Sequence, residues 1–96
     1  MISVKVRNAK GEVLGQAPVS PHFNPVLLGV DAQSLPMLAS IDPYGDTVFN
    51  YLQVRRLLVE LEQYPLEDSE EFLQRLRELC ALALGSPHRF LWFIGD

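Results

Sequence analysis

Near its end the chain carries Phe90-Leu91-Trp92-Phe93-Ile94, five consecutive apolar residues, and this run constrains the fold more than any other. On an extended backbone successive side chains point to opposite faces. Phe90, Trp92 and Ile94 therefore share one side, and Leu91 and Phe93 the other. Apolar residues on both sides predict a strand at the centre of its sheet, with something covering each face. Such a strand needs neighbours. Ile2, Val4 and Val6 alternate with Ser3, Lys5 and Arg7, the period of a half-buried strand. Asn8-Ala9-Lys10-Gly11 supplies turn chemistry, and Glu12-Val13-Leu14-Gly15 resumes an extended stretch, so residues 2–16 read as a β-hairpin.

Residues 17–36 carry Pro18, Pro21, Pro25 and Pro36, which exclude a helix running through them and read as mostly irregular surface chain, with Val26 to Val30 either a short strand or an apolar loop packed on the core. Met37 to Ile41 reads as a short middle strand ending at Asp42-Pro43. Asp42-Pro43-Tyr44-Gly45 suits a type I turn, after which Asp46 or Thr47 is placed to cap a helix running to about Gln63. Its expected inner stripe is Tyr51, Val54, Leu58 and Leu61, widened by Phe49, Leu52 and Leu57, with Gln53, Arg56, Glu60 and Gln63 outside. Arg56 and Glu60 stand one turn apart as a supporting pair. A second helix is expected from Asp68 or Ser69, where Asp68 and Glu71 have capping-box spacing. Phe72, Leu73, Leu76, Leu79, Cys80 and Ala83 form its inner stripe, and Gly85 and Pro87 its stop signals. The reading is one compact α+β domain over residues 1–96. A small, mainly antiparallel sheet is covered by an antiparallel pair of helices.

Composition narrows the function classes. Eight basic and 12 acidic residues give a formal charge of −4. With a pI near 5.0, general nucleic-acid binding is not expected. No apolar run approaches the ~20 residues that span a membrane, and the first residues lack a signal-peptide pattern, so a cytoplasmic location is expected. A single cysteine fits a reducing compartment, and two distant histidines offer no zinc spacing.

Few residues suggest chemistry. Asp42 and Asp46 could bind a hard cation or work as an acid–base pair. Turn formation and helix capping account for both without it. His88 has no companion nucleophile or orienting group. Cys80 sits on an apolar helix face and reads as core. Arg55, Arg56, Arg75, Arg77 and Arg89 are interleaved with glutamates, as on a solvated helix face. Trp92 could stack on bases, but without basic surroundings it too reads as core. No cofactor, metal or enzymatic activity is expected.

The segment Gly45-Asp46-Thr47-Val48-Phe49-Asn50 and the ending Leu91-Trp92-Phe93-Ile94-Gly95-Asp96 carry a resemblance. The chain is similar to a group of small uncharacterised bacterial proteins sharing a GDTVFN-like lead into a helix and an LWFIGD-like terminus. In size and acidity that group resembles immunity proteins, which neutralise bacterial toxins. The resemblance implies a protein partner, in its most specific form a basic toxin domain, and transfers no residue role. A self-associating structural or regulatory subunit is the alternative, with a homodimer as its form. A small metal-dependent enzyme is the third reading. Asp42, Tyr44, Asp46, Asn50 and Asp96 are the candidate partner-binding residues, being polar and placed at the ends of apolar elements. If the strands ending at Ile41 and Ile94 run parallel as neighbours, Asp42, Asp46 and Asp96 meet at one edge. Asp96 would then accept backbone N–H groups of residues 45–48.

Overall fold

The final strand, β4 (Arg89–Ile94), lies between β1 (Ile2–Asn8) and β3 (Asp46–Phe49), with β2 (Val13–Ser20) beyond β1. The structure is a computed structural model describing residues 1–64 and 70–96. Every pairing is antiparallel, in the order β2-β1-β4-β3. Among the described residues three helices complete the fold, α1 (Pro36–Ala39), α2 (Tyr51–Leu61) and α3 (Glu70–Ala83). The expected α+β architecture is present, and β4 is central.

The hairpin forms as its turn residues dictate. Asn8 Oδ1 accepts the N–H groups of Lys10 and Glu12 at 3.0 and 2.9 Å, and Gly11 adopts φ +85°. β2 runs on to Ser20, farther than residue 16. Pro18 is tolerated there because β2 is an edge strand with one side free of ladder bonds.

Two elements differ from expectation. Residues 46–49 form a strand, not a helix start. Thr47 and Phe49 turn inward and Asp46 and Val48 outward, and β-branched and aromatic residues favour this pleated setting. The helix begins after Asn50, whose side chain accepts the Gln53 N–H at 3.0 Å while Gln53 accepts the Asn50 N–H at 2.9 Å. That reciprocal box satisfies two otherwise orphaned donors, so it outcompetes Asp46 and Thr47 as the cap. Met37 to Ile41 is likewise not a strand. Residues 36–39 form one helical turn whose N–H groups at Met37 and Leu38 are taken by Glu60, 3.0–3.1 Å away. Glu60 is therefore buried, 1% exposed, where a solvent-facing position was expected. Its pairing with Arg56 is present at 3.2 Å.

The core lies between one face of the sheet and the helices. Val4, Val6, Leu91 and Phe93 meet Val54, Leu57 and Leu61 of α2 and all six expected inner residues of α3. Leu52, expected on the inner stripe, is 69% exposed. The proline-rich segment is more than surface chain. Phe23 is 2% exposed, with ring centroids 5.1 Å from Phe72 and 6.0 Å from Phe93. At the end of α3, Gly85 is not left-handed, and the Leu82 carbonyl accepts the Gly85 N–H at 3.2 Å and the Arg89 guanidinium at 2.8 Å. The expected cap at Asp68 or Ser69 lies outside the described residues, as does Pro65, whose fixed ring reads from the sequence as the stop of the first helix.

Candidate functional site

Sheet register places the outward side chains of three strands in a grid. Lys5 pairs with Trp92 and Trp92 with Val48, Arg7 pairs with Phe90, and Ser3 and Asp46 flank Ile94. Alternation sends Ile2, Val4, Val6, Leu91 and Phe93 toward the helices, so among the described residues no helix covers this opposite face. The expectation of cover on both sides of β4 is corrected here. With one helical layer, a four-stranded sheet has one face packed and one open. Phe90, Trp92 and Ile94 are half-buried among their neighbours, and Val48 is 40% exposed.

Arg7 organises this open face. Its guanidinium carbon lies 4.6 Å from the centroid of the Trp92 ring, a cation–π contact. Its Nε is buried and has no hydrogen-bond partner. Beside it is a shallow concavity of about 410 Å³ lined by Arg7, Asn8, Gly11, Val48, Phe90 and Trp92. Trp92, read from the sequence as core, is thus a half-buried aromatic on the open face, with two basic residues, Lys5 and Arg7, beside it on β1. The signal was present in the alternation. The outward positions of the basic strand stand opposite the outward positions of the aromatic strand.

Four of the five candidate partner-binding residues, Asp42, Tyr44, Asp46 and Asp96, lie at the corner where β3 begins and β4 ends, and Asn50 lies at the other end of β3. Asp42 Oδ1 accepts the Tyr44 N–H at 2.9 Å, and the Asp42 N–H reaches Thr47 Oγ1 at 2.9 Å, so Asp42 holds its own turn. Asn50 caps α2. Asp96 bonds the N-terminal ammonium of Met1, and that hydrogen bond and charge hold its carboxyl below the usual carboxylate range. The expected bonds from residues 45–48 to Asp96 do not form. Instead the Gly95 N–H donates to the Gly45 carbonyl at 2.8 Å. The terminus meets the turn as foreseen, but through the antiparallel β3–β4 pairing and not through parallel strands. Tyr44, 76% exposed, and Asp46 remain at the corner with no side-chain hydrogen bond or ion pair among the described residues.

Other chemistry is sparse. Cys80 is buried, and burial pushes its thiol up to about 12. His88 is exposed beside Ser86, whose hydroxyl accepts its backbone N–H at 3.2 Å. Among the described residues no three His, Cys, Asp or Glu side chains converge as metal ligands. A second groove of about 510 Å³ lies between the end of β2 and α3, with His22, Phe72 and Arg75 in its walls. Arg75 is already engaged there by the Gln16 carbonyl at 3.1 Å and by Glu78. No described helix is long and apolar enough to cross a membrane. No family model, curated protein or solved structure matches the chain.

Proposed function

We propose that this chain is a non-catalytic protein-binding domain that works by surface complementarity through the open face of its sheet. Its most specific form is an immunity-type inhibitor that occludes a bacterial toxin. The observation that carries the reading is the uncovered cluster of Phe90, Trp92, Ile94 and Val48. An apolar, aromatic centre ringed by polar groups is the composition of a protein interface, where tryptophan and arginine concentrate binding energy. From strand spacing and length, this face measures about 300 Å², against roughly 800 Å² per partner in a standard interface. The partner must therefore reach beyond the sheet, and Tyr44 and Asp46 extend the surface at its corner.

The test is affinity capture from the native host with the wild-type domain and Trp92→Ser as paired baits. The captured protein is then reconstituted with the domain from pure components. A defined heterocomplex that the Trp92 variant fails to form, with the partner's toxicity suppressed in the complex, is the expected result. Light scattering that finds a stable homodimer, no heteromeric partner and no effect of Trp92→Ser would overturn the reading in favour of self-association.

A further inference from the structure

We infer that Arg7, held on the Trp92 ring, is the receptor for a carboxylate that the partner protein presents beside an apolar side chain. The inference rests on the protein-binding reading of the open face and names the chemistry of the group recognised there. Arg7 takes part in none of the ion pairs among the described residues, which join Met1 to Asp96, Arg56 to Glu60 and Arg75 to Glu78. Its Nε is buried without an acceptor, so the two terminal nitrogens are the donors that a ligand reaches. A guanidinium offers a planar fork of donors that matches a carboxylate, and stacking on an aromatic ring fixes the plane of that fork before the ligand arrives. Pre-orientation on Trp92, at 4.6 Å, reduces the ordering that binding must impose.

The sign of the surroundings agrees. Lys5 points from the same strand to the same face. Asp46 shares the face but stands two strands across and four residues along from Arg7. Strand geometry makes that about 16 Å, twice the ~8 Å screening length of physiological salt. Glu12, nearer by, is engaged with the Asn8 side-chain amide at 3.1 Å. The concavity beside Arg7, about 410 Å³ and lined by Phe90 and Trp92, has room for the apolar part of a side chain next to the carboxylate. A nucleic acid fits less well. Arg7 already covers the ring on which a base would stack, and two cations on one face make a small electrostatic footprint.

The test selects peptides from a displayed random library on the intact domain and synthesises the winning sequence with its Glu→Gln or Asp→Asn counterpart. Trp92 is the chain's single tryptophan, so its fluorescence reports occupancy of this face directly. Selected peptides are expected to pair an acidic residue with an apolar neighbour. The amide counterpart should bind about tenfold or more weakly to the wild-type domain, and that difference should collapse on Arg7→Gln, whose folding is checked by its melting temperature. Peptides that perturb Trp92 but bind wild type and Arg7→Gln equally would overturn the carboxylate inference while leaving the open face as a protein-binding surface. Selection that yields only peptides leaving Trp92 unperturbed would overturn both. Displacement of the peptide by a dT12 oligonucleotide, read at Trp92, would overturn the carboxylate in favour of a nucleic-acid ligand.

Discussion

The backbone N–H of Leu38 donates to the side chain of Glu60 at 3.0 Å, joining α1 to α2 across 22 residues of sequence. The same side chain accepts the Met37 N–H and the Arg56 Nε. Removing it leaves buried backbone donors without acceptors, at about 1–3 kcal/mol for each such group. Glu60→Ala is therefore expected to lower unfolding stability by about 3 kcal/mol or more. Arg56, whose side chain is 52% exposed, should cost under about 1 kcal/mol as Arg56→Ala. Urea unfolding of both variants checks the contrast.

The start of α2 gives a second contrast. Asn50→Ala removes the capping box and should cost about 1 kcal/mol. Asp46→Ala, at an exposed position on an edge strand, should fall within about 0.5 kcal/mol of wild type. Equal losses at the two positions would mean that Asp46 retains a capping role.

Gly95 holds the terminus against the 42–45 turn. A Cβ at this position would overlap the backbone of Pro43 and stand 2.8 Å from the Asp42 carbonyl oxygen. Backbone cannot move aside as a flexible side chain can. Gly95→Ala is expected to break the Gly95–Gly45 bond and cost about 1–3 kcal/mol. Deletion of Gly95 and Asp96 should destabilise more than trimming an ordinary frayed tail. An unchanged melting temperature in both variants would contradict this docking.

Much of the fold was legible because its signals are local. Period-2 alternation marked β1 and β4, and the 3.6-residue stripe of α3 named every buried residue of that helix. What failed depended on distant partners. Residues 36–39 become a helical turn because Glu60, from another element, satisfies their N–H groups. Glu60 itself was read as solvent-facing because its helical position carries no trace of α1. The site was hidden in a similar way. Trp92 and its neighbours show their two faces in the sequence, but which face the helices cover is decided by tertiary packing. Asp42 and Asn50 were noticed for their polarity, and local backbone bonding explains them.

Cys80 should be inert in the folded protein. Burial raises its thiol from an ordinary 9.0 to about 12, so the thiolate is suppressed at pH 8 and the sulfur is enclosed as well. Modification by a thiol-specific disulfide reagent is expected to be at least about a hundredfold slower than in urea-unfolded protein. Because the unfolded thiol ionises first, this group's linkage lowers stability as pH rises from about 9 toward 12. Fast modification under native conditions would show that the α3 core opens readily.

The central claim is that the open sheet face is where the partner sits. Hydroxyl-radical footprinting of the domain, free and in complex with its reconstituted partner, reads side-chain accessibility residue by residue. Protection is expected at Trp92 and Phe90, with Tyr44 protected at the corner and no change at Leu52, which is 69% exposed on α2. Protection confined to Leu52 and the other exposed helix residues, with Trp92 and Phe90 oxidised at the same rate in both states, would contradict it.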